Sequence, residues 1–495
     1  MEFYSTRNKS YRLSGEQAVI AGIAPDGGLF LPCELPCYDG EELNRMKALD
    51  YPQLAAKVMA FFFPGIGEQK LLQACRKAYA PEKFGGECPV RLHGLDGNTV
   101  MLELWHGPTL AFKDMALQML PHLLSLSLEA AGDARRALIL TATSGDTGKA
   151  ALEGFTDVPG TQVAVFYPAY GVSEMQRLQM ATHRAQNVAV FAVDGNFDDT
   201  QTGVKRIFAD AALREEAASK GVFLSSANSI NVGRLIPQIV YYIYAYLQLL
   251  SNGCVAPGDA IDIAVPTGNF GNILAAWLAG KMGIPVRTLI CASNRNNILT
   301  DFFRTGVYDT RRPFYKTGSP SMDILVSSNL ERLLFDLSGE NDAEVRGYMD
   351  ALGKTGKYEV SDAIKAAIRD QFWGGFCDEA GTSATIAKYY QEDGYLIDTH
   401  TAVAASVMEQ YRRATGDETV TVFVSTASPY KFCDHVLRAI GETPAGDGVE
   451  LLDQLHNVTG VAIPRRLAAL KGKTRRFDLT CEKPGMDDVV LEFLK

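Results

Sequence analysis

The stretch HGPTLAFKDMALQ, residues 106–118, contains a lysine whose neighbours are mostly apolar. Lys113 stands between Phe112 and Asp114, and Leu110 and Ala111 precede them. The amine of a lysine can attack an aldehyde and form an imine, but only while it is neutral. Burial among apolar side chains lowers the pKa of a lysine and favours this chemistry. The alternative is a solvated charge on a surface helix.

A second segment of chemical interest follows the apolar run ALILTA, residues 137–142, and reads TSGDTG before a helical pattern begins. Its candidate residues are Ser144, Gly145, Asp146 and Thr147. Backbone N–H groups at the start of a helix attract anions, and glycine lets a ligand approach closely. A plain helix cap by Asp146 or Thr147 explains the same residues about as well.

The loop PTGNFGN, residues 266–272, also joins an apolar run to a helical pattern, and contains Gly268, Asn269, Phe270, Gly271 and Asn272. Two glycines three residues apart before a helix suit a phosphate cradle of backbone donors. The loop matches neither G-x-G-x-x-G nor a P-loop, and no lysine follows its glycines, so a nucleoside triphosphate is not expected. A smaller phosphate group fits better. A tight strand-to-helix turn is the alternative.

Two further loops place polar residues after apolar runs. In VTVFVSTASPYKF the hydroxyls of Thr426 and Ser428 can face a ligand or cap the next helix. In VFLSSANSINVGRLIPQ, Ser229, Asn231 and Arg234 precede a long apolar helical pattern. Arg234 can pair with a phosphate or a carboxylate. Taken alone, an ordinary ion pair is the favoured interpretation of this arginine.

The composition excludes several classes of protein. The chain has 495 residues, of which 47% are hydrophobic and 21% charged, enough for two or three globular domains. The net charge is -10 and no long run of Lys or Arg occurs, so nucleic acid is not an expected partner. The most apolar stretch, LIPQIVYYIYAYLQLL, is too short and polar to span a membrane and predicts a buried helix.

The N-terminal stretch MEFYSTRNKSYRLSG lacks the apolar segment of a secretory signal. The nine cysteines are an odd number, and their spacing does not match a zinc site, so no metal is expected. These features indicate reduced thiols in a cytoplasmic protein.

Seven short apolar runs predict the strands of an α/β fold: ALILTA (137–142), VAVFY (163–167), VAVFAV (188–193), VFLSS (222–226), IDIAV (261–265), RTLIC (287–291) and VTVFVS (420–425). They are rich in β-branched residues and lack two-residue alternation, which is typical of strands buried on both faces. The helical patterns between them predict βαβ units and parallel pairing, in one sheet or two.

The two ends of the chain differ from this pattern. Residues 1–90 contain the helical patterns YPQLAAKVMAFFFP and EQKLLQACRKAYA and a turn at PDGGLFLP, which predicts an N-terminal segment packed on the main body. Residues 441–495 are mixed and charged, and predict a peripheral C-terminal segment.

Several of these segments together resemble the threonine synthase family, pyridoxal phosphate enzymes of fold type II, the tryptophan synthase β-like fold. The segments occur in the family's order and are STRN (5–8), APDGGLFLP (24–32), HGPTLAFKD (106–114), TSGDTG (143–148), GNFGN (268–272), SPSMDILVSSNLERLLF (319–335) and STASPYKF (425–432). The resemblance covers about residues 3 to 432 and points to the longer subgroup of bacteria and fungi.

The resemblance implies two parallel-sheet α/β domains. The larger, which binds pyridoxal phosphate, would comprise residues 91–134 and 240–440, and the smaller residues 135–239. Lys113 would carry the cofactor and be catalytic. The residues implied to hold the cofactor are Lys113, Gly268, Asn269, Phe270, Gly271 and Asn272 around its phosphate, Thr426 at its ring nitrogen and Asp146 near its 3-oxygen. The loop with Ser144, Gly145 and Thr147 would hold the substrate carboxylate. The candidates for the substrate-phosphate pocket are Ser173, Gln176, Ser229, Asn231 and Arg234.

Two positions depart from the family's pattern. Many relatives have Thr-Ala-His-Pro where this chain has Ser428 in place of the histidine. Many fold type II enzymes have an asparagine where Asp146 stands. A carboxyl group beside the 3-oxygen would need a shared proton, so the protonation state of Asp146 is open.

The implied activity is the conversion of O-phospho-L-homoserine and water to L-threonine and phosphate, by γ-elimination and β-addition of water. One alternative is a related phospholyase that releases a keto acid and phosphate. Another is a catalytically silent relative with a binding role. The expected partner is the small-molecule substrate, without nucleic acid or membrane, for a cytoplasmic monomer or homodimer.

Overall fold

The computed structural model describes residues 1–143, 145–169, 172–195 and 197–494. Its N-terminal part consists of β1 (Glu2–Ser5), β2 (Asn8–Ser14), α1 (Gly15–Ala21), β3 (Phe30–Pro32), α2 (Gly40–Met46), α3 (Tyr51–Phe62), α4 (Glu68–Ala78) and α5 (Pro81–Phe84). The predicted helices are present. The sequence analysis missed the antiparallel sheet of order β2-β1-β3, in which Phe3 pairs with Pro32 at the end of the expected turn.

The next part of the chain contains Lys113 and four of the strands of a five-stranded parallel sheet. Its elements are β4 (Arg91–Asp96), β5 (Thr99–Glu103), α6 (Lys113–Leu117), α7 (Leu120–Ala131), β6 (Arg136–Ala142), α8 (Asp146–Gly154), β7 (Thr161–Pro168), α9 (Glu174–Ala181), β8 (Val188–Val193), α10 (Phe197–Ala209), α11 (Ala211–Ser219) and β9 (Val222–Ser226). Strands β6 to β9 match four of the predicted apolar runs and pair in parallel.

The third part of the chain builds the second sheet. Its elements are α12 (Val232–Ser251), β10 (Ile261–Pro266), α13 (Gly271–Lys281), β11 (Val286–Ser293), α14 (Ile298–Thr305), β12 (Val307–Asp309), α15 (Leu330–Leu337), α16 (Asp342–Thr355), β13 (Lys357–Glu359), α17 (Asp362–Gln371), β14 (Phe372–Phe376), α18 (Glu379–Glu392), α19 (Thr399–Thr415), β15 (Thr421–Ser425) and α20 (Cys433–Ala439). Short 3-10 helices cover Pro320–Met322 and Pro429–Lys431.

This second sheet has six strands in the order β14-β11-β10-β15-β5-β4. All neighbours pair in parallel except β4, which is antiparallel to β5. The seven strands predicted from the sequence therefore lie in two sheets, one of five strands and one of six. The predicted buried helix is α12, and within the described ranges no helix is long and apolar enough to cross a membrane.

The C-terminal residues return to the five-stranded sheet. The chain continues through α21 (Glu450–Thr459), α22 (Arg465–Ala468), β16 (Leu479–Cys481), a 3-10 helix at Lys483–Gly485 and α23 (Met486–Phe493). Strand β16 pairs in parallel with β8, which completes the order β16-β8-β7-β6-β9, and α23 packs on α10. The loops that follow β6, β10 and β15 leave the carboxyl ends of their strands, where ligands bind in open α/β sheets.

Candidate active site

Lys113 is the first residue of α6, and the backbone before it pairs with the loop after β15. The Phe112 N–H donates to the carbonyl oxygen of Thr426 at 2.8 Å, and Ala111 forms an isolated antiparallel bridge with Ala427. Leu110 has a φ of 60°, in the left-handed region that β-carbon sterics disfavour. The pairing thus places Lys113 beside Thr426 at the end of a central strand.

The Lys113 amine lies in a buried, charged setting. It donates to the Ser321 hydroxyl at 3.1 Å, and it lies 3.7 Å from a carboxylate oxygen of Asp146. Burial lowers the pKa of Lys113 to about 8 from the ordinary 10.5. Asp146 opposes this shift, whereas Lys431 and Arg234 add to it by repulsion. A substantial fraction of the amine is therefore neutral at mildly alkaline pH, the form in which a lysine can act as a nucleophile.

Asp146 begins α8 and joins both sheets at the site. Its carboxylate accepts hydrogen bonds from Ser321 Oγ and Gln176 Nε2, each at 3.3 Å, and pairs with the Lys431 amine at 2.6 Å. Burial alone would raise the pKa of Asp146, but Lys431 and Lys113 hold it well below its usual range. These two ammonium groups favour the ionised form of Asp146.

Three residues of the site were not among the predicted ones. Lys431 has a fully buried side chain and also donates to the Thr109 carbonyl at 3.0 Å. Ser321 contacts both Lys113 and Asp146. His400 accepts the Ser321 N–H at Nε2, 3.1 Å away, so its Nδ1 carries the proton given to Asp398 at 2.9 Å. Ser321 and Lys431 lie inside motifs that carry the family resemblance, which is the signal that could have found them.

The GNFGN loop follows β10 and is closely packed. Phe270 has a φ of 65° and caps α13. A β-carbon on Gly268 would lie 2.5 Å from the Ser321 carbonyl oxygen, so this position requires glycine. The Asn269 carbonyl accepts from the side-chain amide of Asn329 at 2.9 Å. The loop therefore lies against the same Ser321 that contacts Lys113.

Asn272, in the first turn of α13, has a buried amide group that is satisfied on one side only. Its Oδ1 accepts from the hydroxyls of Tyr241 at 2.8 Å and Tyr242 at 2.5 Å. Its Nδ2 has no hydrogen-bond partner among the described residues. The first N–H groups of a helix also lack intrahelical acceptors. An unpaired buried donor beside a helix N-terminus fits a bound phosphate group.

The residues predicted to bind the substrate carboxylate lie partly in the site. Gly145 has a φ of 140°, and a β-carbon there would lie 2.3 Å from the side chain of Gln176. Thr147 is half-buried in the first turn of α8. Ser144 lies outside the described residues. Ser173 caps α9 in a capping box with Gln176, whose amide reaches Asp146.

The residues before α12 divide into two roles. The Ser229 hydroxyl accepts from Asn329 at 3.3 Å. The side chain of Asn231 caps α12 through the Gly233 N–H at 2.9 Å and donates to the Val19 carbonyl at 3.0 Å. Each end of this amide thus makes one hydrogen bond within the protein, so Asn231 stabilises the start of α12, and its role toward the substrate stays a prediction.

Arg234 is a buried cation with incomplete hydrogen bonding. One Nη donates to the Ala227 carbonyl at 2.8 Å, and Nε has no partner among the described residues. Burial lowers the pKa of Arg234 to about 10, and its charge reaches Lys113. A buried guanidinium with an unpaired N–H group fits an anionic ligand, because burying a charge without a partner costs free energy.

Comparison with known proteins agrees with this geometry. The family model described as pyridoxal-phosphate dependent enzyme matches residues 87–427, threonine synthase N terminus matches residues 2–79, and threonine synthase, C-terminal, matches residues 401–486. The threonine synthase of Pseudomonas aeruginosa is 42% identical over 447 residues, which cover 90% of this chain and 92% of that protein. This chain belongs to the threonine synthase family.

Two further members of the comparison are similar to this chain over most of its length. The structure of pyridoxal-phosphate-bound threonine synthase from Brucella melitensis superposes with a TM-score of 0.88 at 36% identity, over 100% of this chain and 98% of that one. Human threonine synthase-like 1 is 39% identical over 86% of this chain and 58% of its own length. The expected fold type II architecture and the pyridoxal phosphate cofactor are confirmed.

Proposed function

We propose that this chain catalyses the threonine synthase reaction, in which O-phospho-L-homoserine and water give L-threonine and phosphate. The observation that carries the proposal is the buried Lys113 amine, whose pKa is about 8, beside the ionised Asp146. Ser321 contacts both groups and also lies against the GNFGN loop. A lysine amine that is partly neutral near pH 8 and the glycine loop proposed to hold a phosphate thus lie in one site.

The residues present fit pyridoxal phosphate. Lys113 carries the cofactor. Gly268, Asn269, Phe270, Gly271 and Asn272 hold its phosphate through the helix start and the unpaired Asn272 amide. Thr426 would bind its ring nitrogen, and Asp146 would face its 3-oxygen. When bound, the cofactor supplies an aldehyde for covalent attachment and a ring that withdraws electrons from the substrate.

The substrate's two anionic groups have separate binding residues. Ser144, Gly145 and Thr147, at the start of α8, hold the carboxylate through backbone donors. Arg234 binds the phosphate group with its buried guanidinium, whose Nε is unpaired among the described residues. Ser173, Gln176 and Ser229 complete the polar surroundings of the substrate.

Lys113 also moves protons. With the substrate bound, its buried Nζ would take the α-proton, pass it on, and then take a β-proton, and phosphate would leave from the γ-carbon with the electron pair of the C–O bond. Ser321 Oγ, at 3.1 Å, orients this amine, and Asp146 stabilises it when it is protonated. The γ-carbon would then gain one of these two protons and become a methyl group, and a hydroxyl group from water would add at the β-carbon. The second proton would return from Lys113 to the α-carbon, and the remaining proton of water would go to the released phosphate.

A related phospholyase is the second candidate, because sequence motifs alone separate it poorly from a synthase. Such an enzyme would release phosphate and a keto acid without hydration. The purified protein should be incubated with pyridoxal phosphate and O-phospho-L-homoserine, and threonine, phosphate and keto acid measured together. Equal threonine and phosphate support the synthase. Phosphate with keto acid and no threonine would replace it with the phospholyase.

Location and assembly complete the proposal. All nine cysteines are free, which fits a reducing cytoplasm. The chain functions as a monomer or homodimer with a small-molecule substrate. Cell fractionation and sedimentation of the purified protein test these two points.

A further inference from the structure

Asp146 lies between two lysine side chains in the interior. Its Oδ1 is 2.6 Å from Lys431 Nζ, and its Oδ2 is 3.7 Å from Lys113 Nζ. The exposed fractions of the side chains are 4% for Asp146, 0% for Lys431 and 12% for Lys113. In such a setting, removal of one charge changes the balance of the other two.

Lys431 is fixed in this position from two sides. It ends the 3-10 helix Pro429–Lys431, which Ser428 caps by accepting the Tyr430 N–H. Its amine also donates to the Thr109 carbonyl at 3.0 Å. Thr109 in turn donates its N–H at 2.7 Å and its hydroxyl at 2.9 Å to the buried Asp114, the residue after Lys113. The ammonium of Lys431 thus cannot leave Asp146 without disturbing the lysine-bearing loop.

We propose that Lys431 is a positioning residue that occupies Asp146 as its main ion-pair partner and so keeps Lys113 partly neutral. The inference rests on the proposed role of Lys113 as the residue that carries the cofactor. Without Lys431, the Asp146 carboxylate would have Lys113 as its ammonium partner and would stabilise the charged form of that amine. A charged Lys113 cannot attack an aldehyde.

Lys113 has other charged and titratable neighbours. Arg234 approaches from α12 and His400 from α19, where it acts on Asp146. Both are unchanged in the variants that follow, so differences among those variants report on Lys431 and Asp146.

The test measures how fast the apoenzyme takes up pyridoxal phosphate as a function of pH. The visible band of the lysine-bound cofactor is followed after mixing, and the midpoint of the pH profile reports deprotonation of Lys113. Lys431→Met should raise this midpoint by about one pH unit, which lowers the rate at pH 7.5 about tenfold. Asp146→Asn should lower the midpoint. The double variant should keep the lowered midpoint of Asp146→Asn, because Lys431 acts through the Asp146 carboxylate.

The matched control is Lys149→Met. Lys149 is, like Lys431, a buried lysine, but it lies in α8 and pairs with Glu153 at 2.5 Å. Its removal takes away a buried ammonium and should leave the midpoint unchanged. Circular dichroism confirms that each variant is folded before its profile is measured.

An unchanged midpoint in Lys431→Met, or the same rise in the double variant as in the single one, would overturn the inference. If Lys431→Met does not fold, Asp146→Asn and the double variant decide: their midpoints should be equal because Lys431 acts through Asp146, and a higher midpoint in the double variant would overturn the inference. Lys113→Ala separates the two proposals. A visible band that persists in this variant refutes the assignment of Lys113, whereas its loss with no effect of Lys431 refutes only the present inference.

Discussion

The N–H of Phe112 donates to the carbonyl oxygen of Thr426 at 2.8 Å. This bond connects Phe112, the residue before Lys113, to Thr426, the residue proposed to bind the ring nitrogen of the cofactor. The neighbouring bridge between Ala111 and Ala427 extends the pairing. Two ends of the proposed cofactor site are therefore fixed by backbone bonds, which favours a preformed site.

Replacement of Lys113 by Met should stabilise the apo-protein at pH 7. Burial lowers the pKa of Lys113 from 10.5 to about 8, so the unfolded chain binds a proton that the folded state loses between these values. The free-energy cost of burying this charge is fully present below about pH 8 and disappears as the pH rises toward 10.5. Urea unfolding should show a gain of up to about 3 kcal/mol at pH 7 that shrinks at high pH. Equal stability of the two proteins at both pH values would contradict burial of this charge.

Replacement of Asn272 by Asp should weaken the binding of pyridoxal phosphate. The buried Nδ2 has no partner among the described residues, and a carboxylate would put a negative charge where the cofactor phosphate is proposed to bind. The dissociation constant should rise about tenfold or more, since a hydrogen bond to a charged group is worth about 1.5–3 kcal/mol. Absorbance titration measures it, with Asn252→Asp at the exposed end of α12 as control. An unchanged dissociation constant for pyridoxal phosphate would mean that the cofactor phosphate binds elsewhere.

Replacement of Arg234 by Met should raise the KM for O-phospho-L-homoserine. The buried guanidinium has an unpaired Nε among the described residues, and loss of a charge-assisted bond to phosphate costs about tenfold or more. The affinity for pyridoxal phosphate should be unchanged. Steady-state kinetics and a cofactor titration make the distinction. A weaker cofactor affinity with an unchanged KM would assign Arg234 to the cofactor phosphate instead.

Replacement of Thr426 by Asp should increase transamination as a side reaction. A hydroxyl at the ring nitrogen does not enforce a positive charge there, whereas a carboxylate does. The stronger electron withdrawal should favour keto acid and the amine form of the cofactor over threonine. The ratio of keto acid to threonine, measured beside Thr426→Ser, is the readout. The same ratio in all three proteins would remove this role from Thr426.

The two parallel sheets were predictable where the strands are continuous apolar runs, as in β6 and β10. Strand β14 has the sequence FWGGF, and its two glycines conceal it because glycine is depleted in strands. Strand β16 is only Leu479–Cys481 and is largely exposed, and its pairing with β8 depends on contacts distant in sequence. Local patterns do not carry that information.

The site divides in the same way. Lys113 and the glycine loop are recognisable because their chemistry depends on local residue types. Lys431 and His400 owe their roles to contacts with Asp146 and Ser321, which only the folded chain brings together. The protonation state of Asp146 was open in the sequence for this reason, whereas its pairing with Lys431 in the fold favours the ionised form.

The central claim is that Lys113 carries the cofactor. Reduction of the cofactor-loaded protein with borohydride makes the attachment permanent, and mass mapping of its peptides then locates the modified lysine. The cofactor mass should appear on the peptide that contains Lys113, and no peptide should carry it in Lys113→Ala. Modification of Lys431, the other lysine that contacts Asp146, or of a lysine outside the site, would contradict the account.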